Sequence, residues 1–326
     1  MSEQNSKRLG EFGLIQWIRE RAKKQEHLLF GIGDDCSVQQ CRPGMDLLTS
    51  TDLLIEDIHF KRQWTSLFDL GRKSAAVNIS DIAAMGGRPE SLYLSIGRPQ
   101  SVSDTEIEEF INGFLVETEA YGAALAGGDT SASPGPLIIS VTVQGAIARG
   151  DAIYRQGASY GDAIYVSGQL GDSALALELL QRGLQPDEEL AKRFHTPSAR
   201  VDVGRKLAER QQATAMLDIS NGLLADLGHI LAASGVGAEI EVARLPLSQS
   251  FRRALDEDAG LFDLVLAGGE DYELVFTSPL KDLAEQLGNE PGVTRVGTIS
   301  QEPGIRIRQP DGGLYQCRRG GFDHFA

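Results

Sequence analysis

Cysteine is scarce in this chain and forms no pattern: Cys36, Cys41 and Cys317 are an odd number, and none stands in a C-x-x-C pair. That argues against a disulfide framework or a zinc site and points to a reducing compartment. Long apolar runs are missing too, so no segment reaches the length of a membrane span. The N-terminus, opening Met1-Ser2-Glu3-Gln4, leads into a charged amphipathic segment and has no apolar signal core. Basic charge is short: 31 Lys and Arg stand against 46 Asp and Glu, a net charge of −15. A nucleic-acid surface needs a basic patch, which sets that class aside. The expected setting is cytoplasmic, with neither a membrane nor a nucleic acid as partner.

The common nucleotide signatures are absent as well. Gly71-Arg72-Lys73-Ser74 lacks the upstream Gly and the Gly-Lys pair of a Walker A loop, and Gly31-Ile32-Gly33 meets Cys36 where a dinucleotide turn needs its third Gly. Neither a D-x-D-x-D-G calcium loop nor an H-E-x-x-H pair occurs. Kinases built on the usual motifs are thereby excluded.

What is present is acid in short polar clusters: Gly31-Ile32-Gly33-Asp34-Asp35, Thr49-Ser50-Thr51-Asp52 and Asn78-Ile79-Ser80-Asp81. Taken singly, Asp34, Asp35, Asp52, Asp81, Asp129 and Asp218 are by default caps or solvated turn residues. Together they recur at strand or helix ends beside Gly, Ser or Thr, where backbone can approach a phosphate closely. Carboxylates gathered in one place repel unless cations lie between them. Oxygen ligands suit Mg²⁺, which keeps waters and borrows the rest of its shell from substrate phosphates. The joint reading is metal-assisted phosphate chemistry. A net charge of −15 fits it, although the same charge serves solubility equally well.

The chain's 326 residues exceed the commonest single-core size, so two domains are expected, residues 1–149 and 150–326. Apolar spacing predicts helices over 11–24 and 67–82, the second stopping at Gly86-Gly87. Residues 47–55 read as a strand; a catalytic cleft and an exposed sheet face account equally for the polar residues inside it. Strands follow over 92–96 and 137–147, and Ser103 with Glu106 forms a capping box before a helix. Residues 126–130 read as a tight turn. In the second half, strands are expected over 163–167, 215–218 and 272–277. Helices are expected with a cap at Asp172 or Ser173, after Pro197 as a favoured first-turn residue, and from Leu223. Pro310-Asp311-Gly312 reads as a hairpin turn. Strands and helices mix throughout, an α/β (mixed α+β) pattern.

The clusters above, with Ile55-Glu56-Asp57-Ile58-His59-Phe60, Asn78-Ile79-Ser80-Asp81-Ile82-Ala83-Ala84-Met85-Gly86 and Gly127-Gly128-Asp129-Thr130, resemble thiamine-monophosphate kinase. So do Asp218-Ile219-Ser220, Gly268-Gly269-Glu270-Asp271-Tyr272-Glu273-Leu274 and Gly321-Phe322-Asp323-His324-Phe325. The resemblance spans nearly the whole chain in order. Its glycine-aspartate elements alone are shared with the wider aminoimidazole-ribonucleotide-synthetase-like superfamily.

The resemblance implies a two-domain synthetase-like fold. Its N-terminal mixed sheet and helices would form a barrel across a homodimer, and its C-terminal domain would be α/β. It also implies ATP-dependent phosphorylation of thiamine phosphate to thiamine diphosphate with several Mg²⁺ ions. Asp35, Ser50, Thr51, Asp52, Asp81, Asp129 and Asp218 would be metal ligands. Gly128, Asp129, Arg155 and Ser220 would contact ATP, and His59, Glu270 and Phe322 the thiamine substrate. Asp81, Asp129, Arg155 and Asp218 would carry catalysis. One position departs: Asn221 stands where the pattern has a metal-binding Asp, and an amide oxygen ligates without negative charge. Without the resemblance, His59 reads as a packed histidine, Glu270 as a turn acid and Phe322 as an anchor of the tail. Two other readings stay open, another ATP-dependent enzyme of the superfamily and a nucleotide- or metal-binding dimer without turnover.

Overall fold

The computed structural model describes residues 11–23, 25–32, 36–40, 42–283 and 292–320. It divides the chain into two units, Met1–Asn78 with Pro89–Ala146, and Ile79–Arg88 with Ile147–Ala326. The chain opens with α1 (Glu11–Arg21), β1 (Leu28–Phe30), β2 (Val38–Gln39), β3 (Met45–Ile55) and α2 (Leu67–Ala84). It continues through β4 (Arg88–Pro99), α3 (Asp104–Ala120), β5 (Ala124–Ser133) and β6 (Ile138–Ala148). Strands β3, β6, β4 and β5 form a four-stranded sheet in that order, β4 and β5 being parallel, while β1 and β2 pair separately.

Local chemistry sets the start of α3. The Ser103 side chain accepts from Glu106 N, and the Glu106 carboxylate accepts from Ser103 N at 2.7 Å. The apolar stripe of α3, Ile107, Phe110, Ile111 and Phe114, is buried. Helices α2 and α3 meet at two glycines: a Cβ on Gly71 would lie 2.0 Å from the Phe110 carbonyl oxygen, and one on Gly113 1.9 Å from that of Phe68. Neither position can carry a side chain unless the helices part.

The expected turn at 126–130 is part of a strand instead. Gly128 pairs with Leu94 and Asp129 with Ser95, after a register shift between Leu92 and Tyr93. Gly128 has a φ of 156°, and a Cβ there would lie 1.9 Å from Leu94 O. Gly-Gly-Asp is a turn signal when read locally, but here the glycine lets β5 lie close against β4.

The second unit's sheet has the order β12-β9-β11-β7-β10-β8. In chain order its elements are β7 (Ala163–Ser167), α4 (Asp172–Gln181), α5 (Glu188–His195), α6 (Val201–Glu209), β8 (Ala215–Asp218), α7 (Leu223–Ser234) and β9 (Gly237–Glu241). After these come α8 (Gln249–Glu257), α9 (Asp263–Ala267), β10 (Leu274–Ser278), β11 (Val293–Ser300) and β12 (Gly304–Arg308). Neighbouring strands run antiparallel except β9 and β12. Every residue of β7, β8 and β10 is buried, which accounts for their continuous rather than alternating apolar patterns. Tyr165 and Phe276 stack between β7 and β10 with centroids 5.4 Å apart. The Pro310-Asp311-Gly312 turn closes on an antiparallel bridge between Arg308 and Leu314. Among the described residues, no helix is long and apolar enough to cross a membrane.

Two helix starts differ from expectation. Helix α6 begins at Val201, beyond Pro197, with Arg200 at its N-cap. The N-cap of α4 is Gly171, so Asp172 is inside the helix rather than capping it. Its carboxylate accepts instead from Ser248 Oγ at 2.6 Å, while Oδ2 has no hydrogen-bond partner among the described residues. Burial pushes Asp172 up to about 6, against the opposing pull of the Ser248 hydroxyl and the Arg193 charge.

Two outcomes follow from this packing. Gly113→Ala should lower stability by about 1–3 kcal/mol in thermal or urea melts, because overpacking outweighs the gain in helix propensity. Asp172 titrates near 3.9 when unfolded and about 6 when folded. Its protonated form therefore favours the fold; that contribution is complete below about pH 4 and is lost as pH rises through about 6. Asp172→Asn should melt above the parent at pH 7.5, by up to about 3 kcal/mol, and the two should converge near pH 4.

Candidate functional site

In the first unit, β3 presents Ser50, Thr51 and Asp52 on the edge of the sheet. Side chains alternate along a strand, so Ser50 and Asp52 share one face and Thr51 takes the other. Thr51 Oγ1 donates to Val141 O at 3.1 Å and lies 3.0 Å from Thr142 Oγ1. Asp52 is exposed by surface area, yet the protein atoms crowding its carboxyl raise it above the usual carboxylate range by desolvation. Asp129, also exposed, and Gly128 lie on β5, the opposite edge. Three strand spacings separate the edges, about 14 Å along the sheet, so Asp52 and Asp129 of one sheet do not share an ion.

His59 follows β3 in a tight bend in which Asp57 has a φ of 68°. The backbone N–H of Ile55 donates to His59 Nδ1 at 3.0 Å. Nδ1 is thus an acceptor, and the neutral ring carries its proton on Nε2. Glu56 fixes the bend by accepting from Arg62 Nε at 2.6 Å and from Leu137 N at 3.0 Å.

The second unit brings more of the predicted residues together. Asp218 ends β8 and is buried. Its Oδ2 accepts from Ser80 Oγ at 2.6 Å, which ties the segment carrying Asp81 to the end of β8. Next come Ser220, Asn221 and Gly222, the last with a φ of 111°. Gly222 is the N-cap of α7 and offers no side chain. Asp226, from the helix's first turn, takes that place: its Oδ2 accepts from Asn221 N at 2.9 Å and Gly222 N at 3.0 Å. Burial pushes Asp226 up to about 6, opposed by those two N–H groups.

Against this loop lies the one carrying Glu270. Glu270 N donates to Ser220 O at 2.8 Å and Tyr272 N to Ile219 O at 2.9 Å. A side chain on Gly269 would put its Cβ 2.5 Å from Ser220 O, so the glycine is what lets the two loops touch. Glu270 and Tyr272 both have positive φ, 65° and 50°, which costs on the order of 1 kcal/mol each. Behind the loop stands Glu273, wholly shielded from water, which pairs with Arg193 and Arg200 and accepts from Ser167 Oγ at 2.5 Å. Burial alone would raise Glu273; the two guanidinium groups overcome it and hold the carboxyl below its usual range. Neighbouring Asp271 is pushed well above the usual range by burial, despite Arg193.

Arg155 is exposed, on the segment whose Tyr154 carbonyl accepts from Met216 N of β8 at 3.0 Å. Asp34, Asp35 and Phe322 lie outside the described residues. Sequence reasoning missed Ser80, Asp226, Arg193 and Glu273 as supports. Ser80 is next to a predicted ligand and Asp226 lies one turn into the helix after Asn221, the only local hints.

The described donors that could hold a metal are carboxylate, hydroxyl and amide oxygens, without a thiolate among them. No group of three or more His, Cys, Asp or Glu is gathered to hold a metal ion among the described residues. Sparse hard donors of this kind fit Mg²⁺, which takes one or two carboxylates and completes its shell with water and phosphate oxygens rather than a protein cage.

Two family models match, the N-terminal domain of AIR synthase related proteins over residues 33–147 and the C-terminal domain over residues 159–308. The thiamine-monophosphate kinase of Salmonella typhimurium is 38% identical over 97% of this chain and 98% of its own length. The crystal structure of thiamine-monophosphate kinase from Stenotrophomonas maltophilia is similar with a TM-score of 0.83 at 41% identity, covering 94% of this chain and 98% of that one. AaThiL complexed with AMPPCP and TMP aligns with a TM-score of 0.77 at 34% identity, over 97% of each chain.

Proposed function

The chain belongs to the thiamine-monophosphate kinase family of AIR synthase related proteins, and we propose that it converts thiamine phosphate to thiamine diphosphate with ATP as phosphoryl donor. The observation that carries this reading is the meeting of two loops in one unit, Asp218-Ile219-Ser220-Asn221 against Gly269-Glu270, joined by Glu270 N to Ser220 O at 2.8 Å. The proposal takes Asp218 as an acid suited to a metal, Ser220 as a hydroxyl suited to a nucleotide phosphate and Glu270 as an acid suited to a cationic substrate ring, on segments whose backbones this hydrogen bond joins. AaThiL, complexed with both AMPPCP and TMP, supports the choice of substrates.

The acceptor atom is a phosphate oxygen, already ionised at neutral pH, so the protein need not supply a general base. Alignment of two polyanions and relief of their repulsion are what remain to be provided. Direct in-line transfer, without a phosphorylated side chain, is the mechanism proposed. Ser220 donates its hydroxyl to the nucleotide, with Gly128 giving close backbone approach, and Arg155 adds positive charge. His59, Glu270 and Phe322 hold the thiamine substrate. Asp35, Ser50, Thr51, Asp52, Asp81, Asp129, Asp218 and Asn221 are the proposed Mg²⁺ ligands, of which Asp81, Asp129 and Asp218, with Arg155, matter most for catalysis. Bound Mg²⁺ would neutralise phosphate charge.

A homodimer belongs to the same proposal. One face of β3, with Leu47, Thr49, Thr51 and Leu53, is exposed along its length, a surface suited to a second copy of the sheet closing a barrel. Residues 1–149 would serve metal, ATP and dimerisation, and 150–326 would form the second domain. A reducing cytoplasm is the proposed compartment, on the small and unpatterned cysteine content of the sequence.

ADP release measured in Mg²⁺ with and without thiamine phosphate tests the proposal. Release that depends on thiamine phosphate is expected. Release with another acceptor alone would make the chain a different enzyme of the superfamily, and tight ATP binding with no release would make it a binder. Asn221→Asp adds a carboxylate beside Asp226, whose pKa is already pushed up to about 6. The variant should melt lower than the parent without Mg²⁺, regain stability as Mg²⁺ is added, and reach half-maximal rate at several-fold lower Mg²⁺. Melts and rates that respond to Mg²⁺ as the parent's do would remove Asn221 from the ligand set.

A further inference from the structure

The loop bearing Glu270 has a backbone conformation that needs holding. Glu270 and Tyr272 sit on either side of Asp271 with φ of 65° and 50°, a region that residues with a Cβ occupy only when their surroundings impose it. Asp271 is where the surroundings act. Its two carboxylate oxygens accept from Gly171 N at 3.1 and 3.0 Å, and its carbonyl accepts from Arg193 Nη2 at 3.2 Å. The same Nη2 donates to the buried Glu273 carboxylate. Arg193 thus bonds the loop's backbone at one residue and the root of β10 two residues later. Arg200 makes a useful contrast. It is also paired with Glu273, through Nε and Nη2, but its hydrogen bonds among the described residues go to that carboxylate alone.

We infer that Arg193 is a positioning residue for the thiamine substrate: by tying the Asp271 carbonyl to Glu273 it keeps Glu270 aimed at the ligand. The inference rests on the reading of Glu270 as a substrate contact. Arg193 itself touches no substrate. It reaches the loop from α5, a helix that carries none of the residues proposed to contact substrate or metal. Binding is the step it serves, since a loop already in its bound conformation leaves less ordering for the substrate to impose.

The surroundings of Arg193 offer an unusual check. A cavity of about 590 Å³ is lined by Lys192, Arg193, Thr196, Arg200, Glu273 and Thr294, among others. Shortening Arg193 would open the space of its guanidinium group to that cavity, so a small planar cation could enter from solvent and remake both hydrogen bonds.

Arg193→Lys and Arg200→Lys, compared side by side, form the test, because each keeps a positive charge next to Glu273. Arg193→Lys should raise KM for thiamine phosphate about tenfold, the loss of one charge-assisted hydrogen bond, with kcat and KM for ATP near the parent's. Arg200→Lys should leave all three near the parent's values while lowering the melting temperature. Methylguanidinium added to Arg193→Ala should restore KM for thiamine phosphate. Amide hydrogen exchange at Glu270 and Tyr272 should quicken in Arg193→Lys and not in Arg200→Lys. That last measurement needs no turnover, so it separates failure of the positioning role from failure of the proposed activity. Equal KM values and equal exchange in the two lysine variants would overturn the inference, leaving Arg193 a structural partner of Glu273. If Arg193→Ala does not fold, the lysine pair alone decides.

Discussion

Glu273 is a carboxylate with no exposure to water, held ionised by two guanidinium groups and a serine hydroxyl. Such a group is tolerated only if its partners stay: removing one from a buried pair costs about 3–5 kcal/mol, since the remaining charge is left without compensation. The demand shapes everything near it. Arg193 must come from α5 and Arg200 from the N-cap of α6, so both helices are pinned against the start of β10. Of the two, only Arg193 also bonds the Asp271 carbonyl of the Glu270 loop, which lies on the Ser220 loop. A single buried charge thus gathers α5, the start of α6 and the start of β10.

A second constraint is electrostatic. The chain carries a net charge of −15, and the proposed substrates are polyanions. Fixed carboxylates alone would repel them, so the proposed reaction needs Mg²⁺ between acid and phosphate, an ion that takes one or two carboxylates and completes its shell with phosphate oxygens and water. Support of the site falls to other acids. Asp226 is buried, and its carboxylate accepts from the backbone N–H groups of Asn221 and Gly222 and so caps α7 from within.

Some local readings hold. The capping box at Ser103 and Glu106 depends on residues three apart, and strand 215–218 on an uninterrupted apolar run; both stand where the pattern put them. Reading failed where a distant partner overruled the local signal. Gly127-Gly128-Asp129 became strand because β4 lies alongside it, and Asp172 lies inside α4 with its carboxylate accepting from the distant Ser248 hydroxyl. Helix α5 went unforeseen, and with it Arg193, whose partner lies 80 residues away.

The sequence by itself determined the family, the mixed α/β character and the acidic, cysteine-poor inventory, because motif order, apolar periodicity and composition are properties of the chain taken residue by residue. Tertiary structure alone decided which polar groups far apart in the chain meet. Ser80 meets Asp218 across 138 residues, Asp271 meets Gly171 across 100, and Arg193 reaches both Asp271 and Glu273. Those pairings follow from burial: a polar group taken out of water must find a partner wherever the fold places one, and no spacing along the chain announces where that will be.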